Sequence, residues 1–455
     1  MKILFSRPQE QIVPETMLQE EQASPVAALA VGVAEPQQAR GLLRAFIALR
    51  HRNYRLFWFG QMISMTGTWM QSIGQAWLVL TITHSAWQLG LVGALQFLPV
   101  LLFSIFGGVF ADRWPKRRVL LFTQSAAMCQ AFILWGLLAT GTVQLWEIYV
   151  LAMMLGMTNC LDMPTRQAFV VEMVGREDLP NAVALNSSLL NLARIVGPGI
   201  GGLIIAISGV TALFLLNGLS FIAVLIGLAM IDIHQLRAQA VKHTKPGEQQ
   251  KTWQSLREGL NYVRRTPSIR LVILVVGLIS LFGINFNVVL PLFATDVLHA
   301  GPVGFGFLSS AFGLGSLISA LWLAWGNVGP NIRRMLIATL VFCGLLAIFA
   351  ISPSYPLSLV LIATVGAAQI AFTTVANTTL QTVAPDHLRG RVMSVYLLFF
   401  AGSIPLGNLL VGWLSSLYGA SIALLICAML SIIVAIAGWV WRKPAEKDLA
   451  ESALF

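Results

Sequence analysis

Twelve long apolar segments run along this 455-residue chain, and the cations between them gather in alternate gaps. A bilayer crossing needs about 20 mostly apolar residues. The segments are 56–82, 87–111, 118–140, 145–164, 182–206, 210–231, 270–294, 303–326, 333–351, 356–380, 392–416 and 420–441. Backbone groups in lipid find no water to bond, so each span is expected to be helical. With these spans in place, 28 of the 29 Lys and Arg residues fall on one side. Positive loops stay cytoplasmic. The chain therefore reads as an all-α, multi-pass membrane protein with twelve transmembrane helices and both termini cytoplasmic. The exception is Arg194, inside the fifth span. An ionisable residue there is a functional candidate by default.

Apolar residues make up 57% of the chain and charged residues 11%, which excludes an ordinary soluble domain. The formal charge of +10 does not call for nucleic acid. The cations are spread over short loops, where anionic lipid accounts for them. Cys129, Cys160, Cys343 and Cys427 fall singly in four apolar segments, and the six histidines sit in loops or at span ends. Neither set has metal-ligand spacing, so no metal or cofactor is expected. An intramembrane enzyme would need clustered His, Asp or Cys, and a sensor would need a folded soluble domain; the chain offers neither. No cleavable signal peptide is expected, because the apolar run after Lys2 stops after three residues.

Residues 1–55 read as a cytoplasmic tail ending in a basic amphipathic segment from Gly41 onward. Residues 56–231 form a first six-helix half and residues 270–441 a second. Between them, 232–269 is a cytoplasmic linker in which Trp253, Leu256, Leu260 and Val263 recur at helical spacing, predicting an amphipathic helix. Residues 442–455 close the chain as a second cytoplasmic tail. An offset of 215 residues takes Arg55 to Arg270, Arg118 to Arg333, Asp162 to Asn377, Gly175 to Gly390, Arg176 to Arg391 and Gly197 to Gly412. With matching span order this favours a parallel pseudo-repeat, two halves around a central cavity.

Gln61, Ser64, Thr68, Gln71 and Gln75 are spaced 3, 4, 3, 4 in the first span, on one helical face. Polar groups facing hydrocarbon are costly, so this face meets protein or water. Two readings fit it: a wall of a transport cavity, or hydrogen-bonded helix packing. In span five, Arg194 precedes Gly197-Pro198-Gly199-Ile200-Gly201-Gly202, where Pro kinks the helix and Gly admits a close neighbour. Arg194 is read either as paired with a carboxylate, Asp162 being the nearest by topology, or as a ligand contact. After span two, Gly108, Asp112, Arg113, Lys116, Arg117 and Arg118 set one carboxylate among cations, a candidate ion-pair latch between the halves.

That loop resembles the cytoplasmic signature of the major facilitator superfamily, Gly-x-x-x-Asp-Arg-x-Gly-Arg-Arg, with Asp112, Arg113, Lys116 and Arg117 matching and Pro115 in place of the second Gly. The span-five string resembles the end of the superfamily's antiporter motif, Gly-Pro-x-x-Gly-Gly, although Ala193 and Ala184 stand where its upstream glycines fall. Arg52–Trp58, Asp162–Phe169, Asp178–Asn186 and Arg389–Ser394 resemble the branch of enterobactin-type exporters and macrolide efflux proteins, the transmembrane secretion effectors. The resemblance implies alternating access, a monomer in the bacterial inner membrane, and export of small amphiphilic molecules such as drugs, siderophores or other metabolites in exchange for protons. It also implies a cavity lined by the first and fourth helices of each half, adding Asn285, Asn287, Gln369 and Thr373 to the span-one set. Many relatives carry Asp where this chain has Thr68. No Asp or Glu sits mid-span, so Asp162 and then Glu147 are the candidates for proton coupling. A lipid flippase or metabolite importer of the same fold is the alternative.

Overall fold

The structure, a computed structural model, describes residues 42–236, 248–326 and 329–452, and their side chains other than 42–45, 104–113, 248–256 and 450–452. The expected tail up to residue 39 and the middle of the linker lie outside the described residues. Residues up to Ile47 and those from Ala48 form separate compact units. A 3-10 helix, Leu42–Arg50, occupies the end of the first unit and the start of the second.

The described residues of the second unit are mostly helical. Its helices are α1 (Arg52–Thr83), α2 (Ala86–Arg113), α3 (Lys116–Ala139), α4 (Leu145–Val174), α5 (Leu179–Ala229), α6 (Glu248–Arg265), α7 (Pro267–Gly283), α8 (Phe286–Leu292), α9 (Gly301–Trp325), α10 (Ile332–Ala350), α11 (Tyr355–Val383), α12 (Asp386–Tyr418), α13 (Ala420–Val440) and α14 (Arg442–Ser452). Among the described residues nine stretches are long and apolar enough to cross a membrane. Helix α1 (32 residues) and α4 (30 residues) are longer than most of those nine but are not among them. The glutamine stripe lowers the apolarity of α1, and Glu147, Asp162, Arg166 and Glu172 lower that of α4.

Helix α5 runs for 51 residues and is broken at Gly209, with φ 78° and ψ 170°. At 1.5 Å per residue a straight helix of that length would be more than twice as long as the roughly 30 Å bilayer core is thick. The break folds it into two membrane-length pieces. Gly419, with φ 82° and ψ 164°, makes the same loopless turn between α12 and α13. Only glycine holds this backbone conformation without strain of about 1–3 kcal/mol. A Cβ on Gly209 would meet no neighbour, so the cost of Gly209→Ala is purely conformational. We expect G209A to lower the thermal unfolding midpoint of the purified protein. Gly136→Ala, with equally open surroundings but an ordinary helical φ, should leave it unchanged or slightly raised. Equal midpoints for the two variants would contradict the turn's requirement.

Helices α1 to α5 form one packed block. In it α1 lies along α5, α2 against α4, and α3 against α4 and α5. Helices α7 to α13 form another, in which α11 packs on α9 and α10, and α7 on α12 and α13. Polar bonds hold the first block together: Gln71 Nε2 donates to Gln130 Oε1 at 2.8 Å, and Asn217 Nδ2 donates to Gln71 Oε1. Aromatic packing holds the second, with Phe293 against Phe349 at 4.4 Å and Phe342 against Phe372 at 5.6 Å between ring centres.

The two blocks meet along α2–α12 and α5–α9. Both crossings depend on facing glycines. A Cβ on Gly202 would lie 2.5 Å from the Pro302 carbonyl oxygen and 3.2 Å from Gly306 Cα. One on Gly90 would lie 2.5 Å from the Asn408 carbonyl oxygen and 3.0 Å from Gly412 Cα. By chain order these contacts lie toward the helix ends remote from the basic loops. At the basic end the following ion pairs join neighbouring elements, and none of them links α1–α5 to α7–α13. Lys116 pairs with Glu172 at 3.0 Å and Arg50 with Asp178 at 2.9 Å. Arg333 pairs with Glu446 at 2.7 Å, and Arg391 with Glu258.

Candidate functional site

Where the two blocks part, α1, α2, α5, α8, α9, α11 and α12 enclose a cavity of about 240 Å³. A single buried water needs roughly 10–15 Å³, so this space is sized for a ligand group. Its wall is largely aromatic and aliphatic: Trp69, Ile73, Phe97, Phe286, Leu290, Phe305, Phe312 and Ile404. Ser72, Gln75, Gln96, Asn287, Ser309 and Gln369 are the polar points, and Arg194 supplies a full charge. An apolar chamber with a few polar groups is the usual composition of a small-molecule site.

Helix α5 presents Arg194 one turn before Pro198. Proline has no N–H, so the Arg194 carbonyl lacks its intrahelical donor and the helix opens there. Ser310 Oγ of α9 donates to the neighbouring Ile195 carbonyl at 2.6 Å. The Arg194 guanidinium carbon stands 5.8 Å from the Trp69 ring centre and 5.0 Å from that of Phe312. Among the described residues no carboxylate pairs with it. Gly197 and Gly201 face α1, where a Cβ would lie 2.6 Å from Trp69 Cβ and 3.2 Å from Met70 Cα respectively, while Gly202 faces α9. The span-five motif thus sets α5 against α1 on one side and α9 on the other, and it holds Arg194 at the cavity between them.

The polar stripe of α1 divides. Gln75 reaches the cavity. Gln71 is occupied by Gln130 and Asn217, Gln61 and Ser64 are buried away from the cavity, and Thr68 is exposed, its Oγ1 donating to the Ser64 carbonyl at 2.9 Å. The residues of α1 that line the chamber are mainly Trp69, Ser72, Ile73 and Ala76. Trp69, Ser72 and Ala76 are each one position after a member of the polar stripe, about 100° round the helix, and Ile73 is two after Gln71. In the second block Asn287 and Gln369 line the cavity. Asn285 is buried beside it, its Nδ2 donating to the Leu281 carbonyl at 2.8 Å. Thr373 Oγ1 donates to the Gln369 carbonyl at 2.9 Å.

Most of the wall is not singled out by the sequence, and Trp69, Gln96, Phe312 and the break between α7 and α8 at Ile284–Asn285 are its most consequential parts. Gly283 and Pro291, flanking that break, were its legible signal. Trp69, Gln96 and Phe312 carried none, because their role depends on which neighbour their helix face meets.

Asp162 does not pair with Arg194. It is buried between α3 and α4, accepting from Thr123 Oγ1 at 2.8 Å, from Gln124 Nε2 at 2.7 Å and from Arg166. Glu147 caps α4 at its other end, its Oε2 accepting from the Gln144 N–H at 2.8 Å. In the basic loop, Arg117 donates through Nε and Nη2 to the carbonyls of Leu228 and Ala229, both at 2.7 Å. That position complements the negative helix end of α5. Arg118 is exposed. Lys116 and Arg117 therefore bind within the first block in this conformation. The side chains of Asp112 and Arg113, and the surroundings of Gly108, lie outside what the structure describes. Asp178, in the loop before α5, accepts from His51 Nε2 at 2.7 Å and from Arg50. These bonds, His51 first, hold its carboxyl below the usual range.

Comparison with known proteins matches the same architecture. The staphyloferrin A transporter of Staphylococcus aureus is 25% identical over 400 residues, 88% of this chain and 98% of that one. The multidrug efflux pump Tap of Mycobacterium tuberculosis is 29% identical over 413 residues, 88% and 95% of the two chains. The enterobactin exporter EntS of Escherichia coli is 25% identical over 382 residues, 83% and 88%. Among solved structures, an inward-facing, unoccupied bacterial homolog of the human lysosomal transporter Spinster superposes with a TM-score of 0.69 at 12% identity, covering 90% of this chain and 99% of the other. The nucleoside transporter NupG superposes at 0.67 with 14% identity, covering 86% and 99%. A family model, transmembrane secretion effector, matches residues 44–454. With that match over almost the whole helical unit, the chain belongs to the transmembrane secretion effector family of the major facilitator superfamily.

Proposed function

We propose that this protein is a secondary transporter that exports small amphiphilic molecules by alternating access. In this reading it sits as a monomer in the bacterial inner membrane, with both termini cytoplasmic. Twelve spans are counted by adding α1 and α4 to the nine strongly apolar stretches and dividing α5 at Gly209. They form two six-helix halves. The observation that carries the reading is the central cavity between the blocks, with the close glycine crossings at the end remote from the basic loops. With basic loops cytoplasmic, that is an inward-facing state. Alternating access then requires the glycine crossings to part while the basic ends approach. The basic loop from Asp112 to Arg118 is the natural latch for the second state. Relatives named as a staphyloferrin A transporter, a multidrug efflux pump and an enterobactin exporter support export of drugs, siderophores or similar metabolites.

Exchange for protons is the proposed energy source, with Asp162 as its first candidate group and Glu147 as its second. The test is accumulation of a panel of dyes, macrolides and catecholate siderophores in cells with and without the protein, each with and without a protonophore. We expect at least one compound to accumulate less when the protein is present, and the protonophore to abolish the difference. Equal accumulation across the panel would refute export. Export that persists with the protonophore would refute proton coupling alone.

A further inference from the structure

We infer that the cavity selects anions: its ligand is an amphiphile with a carboxylate or similar acidic group bound to Arg194 and a flat apolar body between the aromatic walls. The inference rests on the transport reading for its biological setting, but the binding it describes does not depend on the direction of transport.

Among the described residues Arg194 is the one charged residue lining the chamber, and no Asp or Glu stands in its wall. A guanidinium at this depth is costly unless something compensates it. Trp69 and Phe312 flank it at 5.8 and 5.0 Å, and ring faces offer a cation only a fraction of what a carboxylate does. The planar guanidinium fork fits a carboxylate through two parallel N–H donors. Two amides are buried beside the same space with atoms unbonded: Gln75 Nε2, a donor, and Gln369 Oε1, an acceptor. Gln75 suits an acceptor and Gln369 a hydroxyl or N–H on the ligand body. Phe97, Phe286 and Leu290 complete an apolar surface that rewards a ring or chain but not a free ion. A cationic amphiphile of the same shape would meet Arg194 as a like charge in a medium that screens poorly.

The test uses two dyes built on one tricyclic frame, anionic 5-carboxyfluorescein and cationic rhodamine 123. Their binding to the purified full-length protein in neutral detergent is followed by fluorescence anisotropy, with empty micelles subtracted. We expect the anion to bind more tightly on the order of 10- to 100-fold, the scale of one charge-assisted hydrogen bond. Arg194→Gln should bring that ratio close to one, and Arg194→Lys should retain a preference for the anion. A purely structural role for Arg194 would weaken both dyes alike. The inference is overturned if rhodamine 123 binds wild type as well as carboxyfluorescein does, if wild type binds no carboxyfluorescein, or if the ratio survives in R194Q. Anion preference without any uptake into inside-out vesicles would count against the exporter reading and leave this one standing.

Discussion

Replacement of Gly202 by valine is expected to trap the transporter with the end remote from the basic loops open. In the present conformation a Cβ at this position falls 2.5 Å from the Pro302 carbonyl oxygen. The obstructing atoms are backbone on both helices, so no rotamer change relieves the clash. Overpacking of this kind costs about 1–3 kcal/mol where neighbours can shift. That is roughly 5- to 150-fold in the ratio of the two states, and a rigid backbone crossing lies at the upper end. Gly90→Val should act in the same direction at the α2–α12 crossing, where Asn408 and Gly412 backbone atoms are equally close. The two crossings close one end together, so the double variant should be at least as strongly trapped as either single one. The measurement is labelling of a single cysteine at Ser309, a cavity residue, in a background lacking the four native cysteines. An impermeant maleimide is applied to right-side-out and inside-out vesicles. We expect G202V to increase labelling from the outside, decrease it from the inside and lower transport by at least tenfold. Unchanged labelling with normal transport would show that these crossings do not gate the cavity.

Asp162→Ala should cost about 3–5 kcal/mol of stability, the penalty for leaving one partner of a buried ion pair alone. The Asp162 side chain is 4% exposed and that of Arg166 is 16%, so solvent does little to replace the lost carboxylate. Thr123 and Gln124 lose their acceptor as well. Arg166→Leu in the D162A background should recover a substantial part of the loss, because it removes the orphaned charge. A double-mutant cycle on thermal or denaturant unfolding measures the coupling. Additive single effects would exclude the buried pair as the source. The same variants bear on energy coupling. Asp162→Asn keeps an acceptor for Thr123 and Gln124 while abolishing titration. If D162N folds and its transport remains sensitive to a protonophore, Asp162 is a structural residue and proton coupling lies elsewhere.

Much of the site was legible in outline. Arg194 stood out because one cation among apolar spans needs a reason. The Gly-Pro string beside it announced a kink and a close crossing. Both follow from local chemistry, since proline lacks an N–H and glycine lacks a Cβ wherever they occur. The glutamine stripe of α1 was equally visible, but its purpose was not. A polar helix face states that it avoids lipid and leaves open whether it meets water, substrate or another helix. Gln71 is taken up by Gln130 and Asn217, residues 59 and 146 positions away. Most of the cavity-facing residues lie one position further along α1. Asp162 illustrates the same limit. It is the nearest carboxylate to Arg194 by topology, yet its charge is met by Arg166, one turn further along its own helix.

What the sequence alone determined is the class of molecule. Apolar helices are read segment by segment, because a bilayer penalises each exposed backbone group and charge regardless of its neighbours. The motifs likewise pointed to the family that comparison with known proteins identifies. Tertiary structure alone decided which face of each helix looks into the cavity, that Arg194 stands between Trp69 and Phe312 without a carboxylate, and that glycines on α2, α5, α9 and α12 form the crossings at one end. Those outcomes depend on the pairing of helices distant in sequence, where a rotation of one residue exchanges a hydrogen-bonded packing face for the wall of a binding site.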